Sequence, residues 1–166
     1  MTYAEALSAA TERFSSVNIA DASVDASLLL MHLTGKDRTF LLTHGEEILD
    51  SEISGRFEDA VGRRASHMPL QLITGTQDFM GFEFDVSPDV LIPRLDTEFL
   101  AEESLKELTV GSKVLDLCCG SGCIIISLMK LTNGTVGTAS DISEHALELT
   151  QRNAKKLGVS LKTVKS

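Results

Sequence analysis

The sequence predicts an α + α/β chain: a helical bundle, then a β-hairpin linker, then an incomplete α/β unit built on a parallel sheet. Three observations carry this. Up to about residue 68, apolar residues recur only at helical spacing. Phe79, Phe82, Phe84 and Val86 then alternate with Glu83 and Asp85, which is the two-residue period of strands. Finally, Lys113 to Ile126 (KVLDLCCGSGCIII) reads as a short buried strand, a glycine turn and the first turn of a helix.

The helical part divides into four elements. Ala4, Leu7, Ala10 (or Thr11) and Phe14 recur at helical steps. A second helix starts near Asp21 or Asp25, carries Val24, Leu28, Leu29, Met31 and Leu33, and stops at Gly35. Arg38 to Thr43 makes a short apolar helix. Asp50 or Ser51 caps a fourth, with Ile53, Phe57, Val61 and Ala65 on one face. His32, His44 and His67 fall in different elements and form no catalytic set. The expected domains are 1–68 for the bundle, read as a substrate-recognition module, 69–93 for the hairpin linker and 94–166 for the α/β unit.

Composition limits the function classes. The chain is 43% hydrophobic with a formal net charge of −9. The acids outnumber the bases 11 to 6 in residues 1–68 and 13 to 9 in residues 69–166. With no basic block, direct nucleic-acid binding is not expected, although an acidic body suits a basic protein partner. No apolar run reaches the length of a membrane span, and no basic-then-apolar leader precedes the bundle, so a cytoplasmic chain with no membrane partner is expected. The three cysteines, Cys118, Cys119 and Cys123, all sit in the glycine loop. An odd, clustered set lacking a Cys-x-x-Cys pair is neither a disulfide framework nor a zinc site, so no metal is expected.

The loop itself points to a ligand. A strand entering a helix through glycines presents free N–H groups and a positive dipole end. Gly120 and Gly122 fill two places of the dinucleotide fingerprint, but Ile125 stands at the third, so the pyrophosphate site is incomplete. No Gly-Lys-Ser/Thr follows, which excludes a P-loop. Asn133 to Ser140 reads as a turn and second strand ending at Asp141, about 20 residues after Gly122, the spacing of a carboxylate that takes ribose hydroxyls. Asp116 adds a second carboxylate beside the loop, suited to a cationic ligand group rather than a phosphate. A nucleoside bearing a sulfonium and an amino acid, S-adenosylmethionine, fits both. Upstream, Asp96 or Thr97 is expected to cap a helix burying Phe99, Leu100, Leu105 and Leu108. Arg94 stands just ahead of it, free to pair with a ligand carboxylate or with Glu98.

Four stretches in fixed order carry a resemblance. They are Pro69-Leu70-Gln71, the Phe-x-Gly-x-x-Phe of Phe79 to Phe84, Leu91-Ile92-Pro93-Arg94-x-Asp96-Thr97-Glu98, and Leu115-Asp116-Leu117-x-x-Gly120-Ser121-Gly122. Together the chain resembles the HemK/PrmC family. These are S-adenosylmethionine-dependent methyltransferases that modify the glutamine of the Gly-Gly-Gln motif in peptide-chain release factors. The resemblance implies a Rossmann-like class I methyltransferase domain and release factors as partners. It implies that backbone around Cys118, Gly120 and Gly122 approaches the methionine portion, that Asp141 holds the ribose, and that Arg94, with Leu91 and Thr97, closes over the cofactor. Two positions depart from the family pattern. Leu95 stands where a second proline is usual, and Cys118-Cys119 replaces the usual Gly-Thr.

The family's catalytic Asn-Pro-Pro-Tyr does not occur in the sequence, so no catalytic residue is assigned. The expectation is a fragment with an open sheet edge, inactive alone and able to self-associate through that edge. Three other readings stay open: a protein-binding module with a vestigial cofactor site, a class I methyltransferase with another substrate, and a dinucleotide oxidoreductase, which Ile125 disfavours.

Overall fold

The structure is a computed structural model that describes residues 1–166. The chain forms two compact units, Met1–Thr74 and Gly75–Ser166.

The first unit is all helical: α1 (Tyr3–Ser16), α2 (Ala22–Thr34), α3 (Arg38–Thr43), α4 (Ser51–Ala65) and α5 (Leu70–Thr74). Their boundaries follow local chemistry. Thr2 and Glu5 close a capping box over the start of α1, and Asp37 and Asp50 cap α3 and α4 through side-chain oxygens. Gly35 ends α2 in the left-handed conformation. Phe14, Leu29, Leu30 and Phe57 fill the core. The buried stripe differs from the expected one in two helices. On α1, Ala6 rather than Ala4 joins Ala10 and Phe14. On α2, which is apolar nearly all round, the only buried apolar residues are Ala22, Ala26, Leu29 and Leu30, while Val24 and Leu28 face solvent. A helix can bury one stripe against its neighbours, and the small alanines permit the closest approach. Asp25 is buried because Arg64 of α4 reaches it, Nε to Oδ2 at 2.7 Å. The α5 turn lies in a stretch expected only to leave the bundle.

The second unit begins with the hairpin β1 (Thr76–Phe79) and β2 (Phe82–Asp85). It pairs antiparallel from Thr76 with Asp85 to Phe79 with Phe82. Met80 and Gly81, at φ 52° and 77°, make the two-residue turn, whose left-handed angles match strand twist. Phe79 and Phe84 are fully buried and meet edge to face, with centroids 6.2 Å apart. Then follow α6 (Asp96–Glu107), β3 (Lys113–Leu117), α7 (Cys123–Leu131), β4 (Val136–Asp141), α8 (Glu144–Lys156) and β5 (Lys162–Lys165). The sheet is parallel in the order β3-β4-β5, with Lys113 beside Val136 and Thr138 beside Lys162.

Helix α6 corrects two expectations. It begins after Leu95 with no side-chain cap. It buries Ala101 and packs Leu105 and Leu108, while Phe99 is 67% exposed and Leu100 also faces solvent. Residues 101, 105 and 108 share one face at helical steps, and residues 99 and 100 fall off it.

The sheet is covered on one face only. Ile125, Ile126 and Leu128 of α7 pack with Ala139 of β4 in the core. The other face carries Leu115 and Leu117 of β3, 59% and 66% exposed, beside the exposed Val136 of β4. β3 is also an edge strand. No helix of the chain is long and apolar enough to cross a membrane.

Candidate functional site

Parallel strands β3 and β4 end side by side, so whatever follows each is brought together at their C-terminal ends. After β3 comes the glycine loop, and at the end of β4 stands Asp141. Asp141 is buried, with both carboxylate oxygens engaged. Gly120 N donates to Oδ2 at 3.0 Å and Ser143 N to Oδ1 at 2.9 Å. An aspartate held by two backbone donors keeps its further lone pairs in one fixed direction, as a diol-binding acceptor requires.

The loop is a tight turn. Cys119 N donates to Ser140 O at 3.0 Å, and Gly122 N donates back to Cys119 O at 2.8 Å. Cys118, Gly120 and Gly122 all have positive φ, at 60°, 56° and 78°. The two glycines serve different ends. A Cβ on Gly122 would lie 2.9 Å from both Ile126 and Thr150, so this glycine lets α8 pack against the loop. A Cβ on Gly120 would meet Val90 at 3.6 Å, an ordinary contact, so this glycine answers its positive φ rather than crowding. Cys118 adopts a left-handed conformation with a side chain, which costs about 1–2 kcal/mol.

Asp116 lies under the loop. Burial pushes its carboxyl above the ordinary range; a backbone hydrogen bond from Ile125 opposes this and the Asp141 charge reinforces it. Its Oδ2 is buried and has no hydrogen-bond partner in the chain. The thiols are also shaped by burial. Cys123 is pushed up to about 11 and Cys119 is raised, the latter opposed by Thr150. Cys118 is exposed, and all three are free thiols.

Of the expected site residues, the structure gathers Asp116, Cys118, Gly120, Gly122 and Asp141 around one loop. The segment before α6 meets the loop through Val90, which clusters with Ala146 and Leu149 of α8. Leu91 beside it is 71% exposed, and Arg94 is also exposed. Thr97 N donates to Arg94 O at 3.0 Å, which holds the turn into α6. Glu98, one expected partner of Arg94, instead accepts from Met80 N at 2.6 Å. Sequence reasoning missed Thr150 and Asn153 of α8. Both are fully buried and both hydrogen-bond the loop. The available signal was a pair of polar residues three apart among the apolar positions of an amphipathic helix.

These donors and acceptors fit a nucleoside with a cationic substituent. Asp141 supplies a fixed acceptor, and the unpartnered Asp116 Oδ2 is an unspent acceptor near it. The strand, glycine loop, helix, strand and terminal acid, in a parallel sheet, follow the α/β arrangement on which nucleosides are bound. The chain belongs to the methyltransferase small domain family, whose model matches residues 72–166, more than half of it. The PrmC N-terminal domain model matches residues 5–75. The release factor glutamine methyltransferase of Koribacter versatilis is 40% identical over 159 residues, spanning 95% of this chain and 57% of that protein. The protein of the same name from Moorella thermoacetica is 39% identical over 162 residues, spanning 96% and 57%. The chain thus spans a little over half the length of these relatives. Among solved structures, the Pyrococcus abyssi tRNA (uracil-54, C5)-methyltransferase, in complex with S-adenosyl-L-homocysteine, is 22% identical. It covers 55% of this chain and 23% of that one, with a TM-score of 0.47.

Proposed function

We propose that the chain is the recognition and cofactor-binding part of an S-adenosylmethionine-dependent release factor glutamine methyltransferase. The observation that carries this is the pair of carboxylates at one strand–loop junction: Asp141 fixed by Gly120 N and Ser143 N, and Asp116 with a buried, unpartnered oxygen. The family match and the relatives' names support it.

In this reading Asp141 accepts from the ribose hydroxyls and Asp116 faces the ligand's ammonium. The loop backbone at Cys118, Gly120 and Gly122 lies along the methionine portion. Leu91, Arg94 and Thr97 form the covering segment, with Arg94 reaching the ligand carboxylate. When bound, the cofactor supplies an electrophilic methyl group on a sulfonium. The glutamine amide nitrogen is a poor nucleophile because its lone pair is delocalised. It therefore needs a partner that accepts its hydrogens and aims it. The sequence holds no Asn-Pro-Pro-Tyr to do so, and the 166-residue polypeptide is expected to bind but not to transfer. Its helical unit is the release-factor recognition module. The setting is cytoplasmic, without direct nucleic-acid contact.

Calorimetric titration with S-adenosylmethionine tests the reading. Saturable binding, lost in Asp141→Ala while the circular-dichroism spectrum is kept, is the expected result. A folded wild-type chain that takes up no ligand rejects it, and methyl transfer to a release factor by the chain alone rejects the claim of inactivity.

A second reading concerns assembly. The exposed Leu115, Leu117 and Val136 beside the open edge of β3 favour self-association of the polypeptide. Sedimentation velocity over a hundredfold concentration range tests it, and a concentration-independent monomer refutes it.

A further inference from the structure

We infer that Asn153 and Thr150 are positioning residues of the cofactor loop, and that Asn153 makes the β1–β2 hairpin part of the same site. The inference rests on the cofactor reading above and extends it to residues that touch no ligand.

Burying an amide and a hydroxyl on the packed face of α8 is costly unless both are hydrogen-bonded. Asn153 is fully buried and uses its amide on two elements at once. Its Nδ2 donates to Ser121 O at 2.9 Å and to Asp85 O at 3.1 Å, and its Oδ1 accepts from Asp85 N at 2.8 Å. The hairpin register explains the second half. Val86 N donates to Gly75 O, so the next pair, Thr76 with Asp85, is a non-hydrogen-bonded one. The backbone groups of Asp85 therefore face away from β1. Asn153 answers both of them as a neighbouring strand would, and its remaining donor holds the glycine loop. Lys156 strengthens the same joint, with Nζ 2.7 Å from Asp85 Oδ1 and from Glu83 Oε1.

Thr150 acts one turn earlier on α8. Its Oγ1 donates to Gly120 O at 3.0 Å and lies 3.4 Å from Cys119 Sγ. The Gly120 residue is thereby held from both ends, its N–H by Asp141 and its carbonyl by Thr150. A change at Thr150 reaches the ribose-binding carboxylate through that single residue. Asn153 sets the next carbonyl, that of Ser121. The orientation of the loop amides thus depends on α8, and through Asn153 on the hairpin.

The test uses the full chain, S-adenosylhomocysteine as probe, and five variants. Thr150→Val removes the hydroxyl with little change of shape, and Thr150→Ser restores it. Asn153→Leu keeps the side chain's size but deletes the acceptor for Asp85 N and both donors. Leu147→Ala is a destabilising control on α8 that does not bond the loop, and Asp141→Ala checks the site. Thr150→Val is expected to weaken binding about tenfold, the scale of one hydrogen bond, while Thr150→Ser stays near wild type. Amide hydrogen exchange without ligand is expected to accelerate at Gly122 and Asp85 together in Asn153→Leu, and not in Leu147→Ala. Equal affinities for Thr150→Val and Thr150→Ser, or affinity losses that track stability across all variants including Leu147→Ala, overturn the inference. A wild-type chain that ignores the probe defeats the cofactor reading. Exchange then still decides the positioning claim, which fails if the loop and Asp85 amides do not respond together.

Discussion

At the scale of single residues, the site is a set of groups whose properties depart from the ordinary because of where the backbone places them. Asp116 is the plainest case. Its carboxyl lies above its usual value of 3.8 because burial penalises the charge. The folded chain therefore holds a proton that the unfolded chain has already released, and stability falls as pH rises from about 4 through the raised value. Urea denaturation across pH 4 to 7 is expected to show that slope, and Asp116→Asn to flatten it and raise stability at neutral pH. An ammonium ligand favours the charged carboxylate, so affinity for S-adenosylmethionine should climb over the same window, and a flat profile would remove Asp116 from the site. Cys118 gives a second prediction. It carries a side chain at φ 60°, so Cys118→Gly is expected to stabilise the chain by roughly 0.5–1 kcal/mol, left-handed strain relieved minus glycine's added unfolded entropy. The thiols give a third. Cys118 is exposed, whereas Cys119 and Cys123 are buried and shifted up. Alkylation at neutral pH followed by mass spectrometry should find one label per native chain, on Cys118, and three after unfolding.

At the scale of elements, α4 and α8 each do more than cover a core. Arg64 on α4 donates to Asp25 of α2 and, through Nη1, to Met68 O at 3.0 Å. It thus joins two helices and the turn that leaves α4. Asp25→Ala strands the guanidinium in a mostly buried position and is expected to cost about 3 kcal/mol in chemical denaturation. A loss below about 1 kcal/mol would mark the pair as surface-like. Helix α8 holds the hairpin and the glycine loop with adjacent turns. The helices themselves were legible in the sequence because caps and periodicity are local: Asp50 and Gly35 both act within four residues. The choice of buried stripe was not legible on α2 or α6. When a helix is apolar on several sides, its neighbours decide which side is hidden, and neighbours are not local.

At the scale of the whole molecule, the two units differ in how they hold together. The helical unit holds its own core within Met1–Thr74, with α1 and α4 both packed on α2. Expressed as residues 1–74, it is expected to melt cooperatively by circular dichroism, since one core joins its helices within those residues. A non-cooperative melt would show that it depends on the rest. The α/β unit leaves one sheet face and the β3 edge open.

The sequence alone determined the order of the elements, the hairpin and the loop chemistry. Alternation, helical spacing, caps and glycines are short-range signals, and Asp116, Gly120, Gly122 and Asp141 announce themselves by spacing from one turn. Tertiary structure decided the rest. It showed that Gly122 answers α8 while Gly120 answers only its own backbone angle, and that Glu98 is occupied by Met80 N rather than Arg94. It brought Thr150 and Asn153 to the loop from about 30 residues away. A buried threonine and asparagine look in sequence like any polar residue on a helix. Their meaning comes from the carbonyls they meet, and only the packing of α8 over the parallel sheet brings those carbonyls within reach.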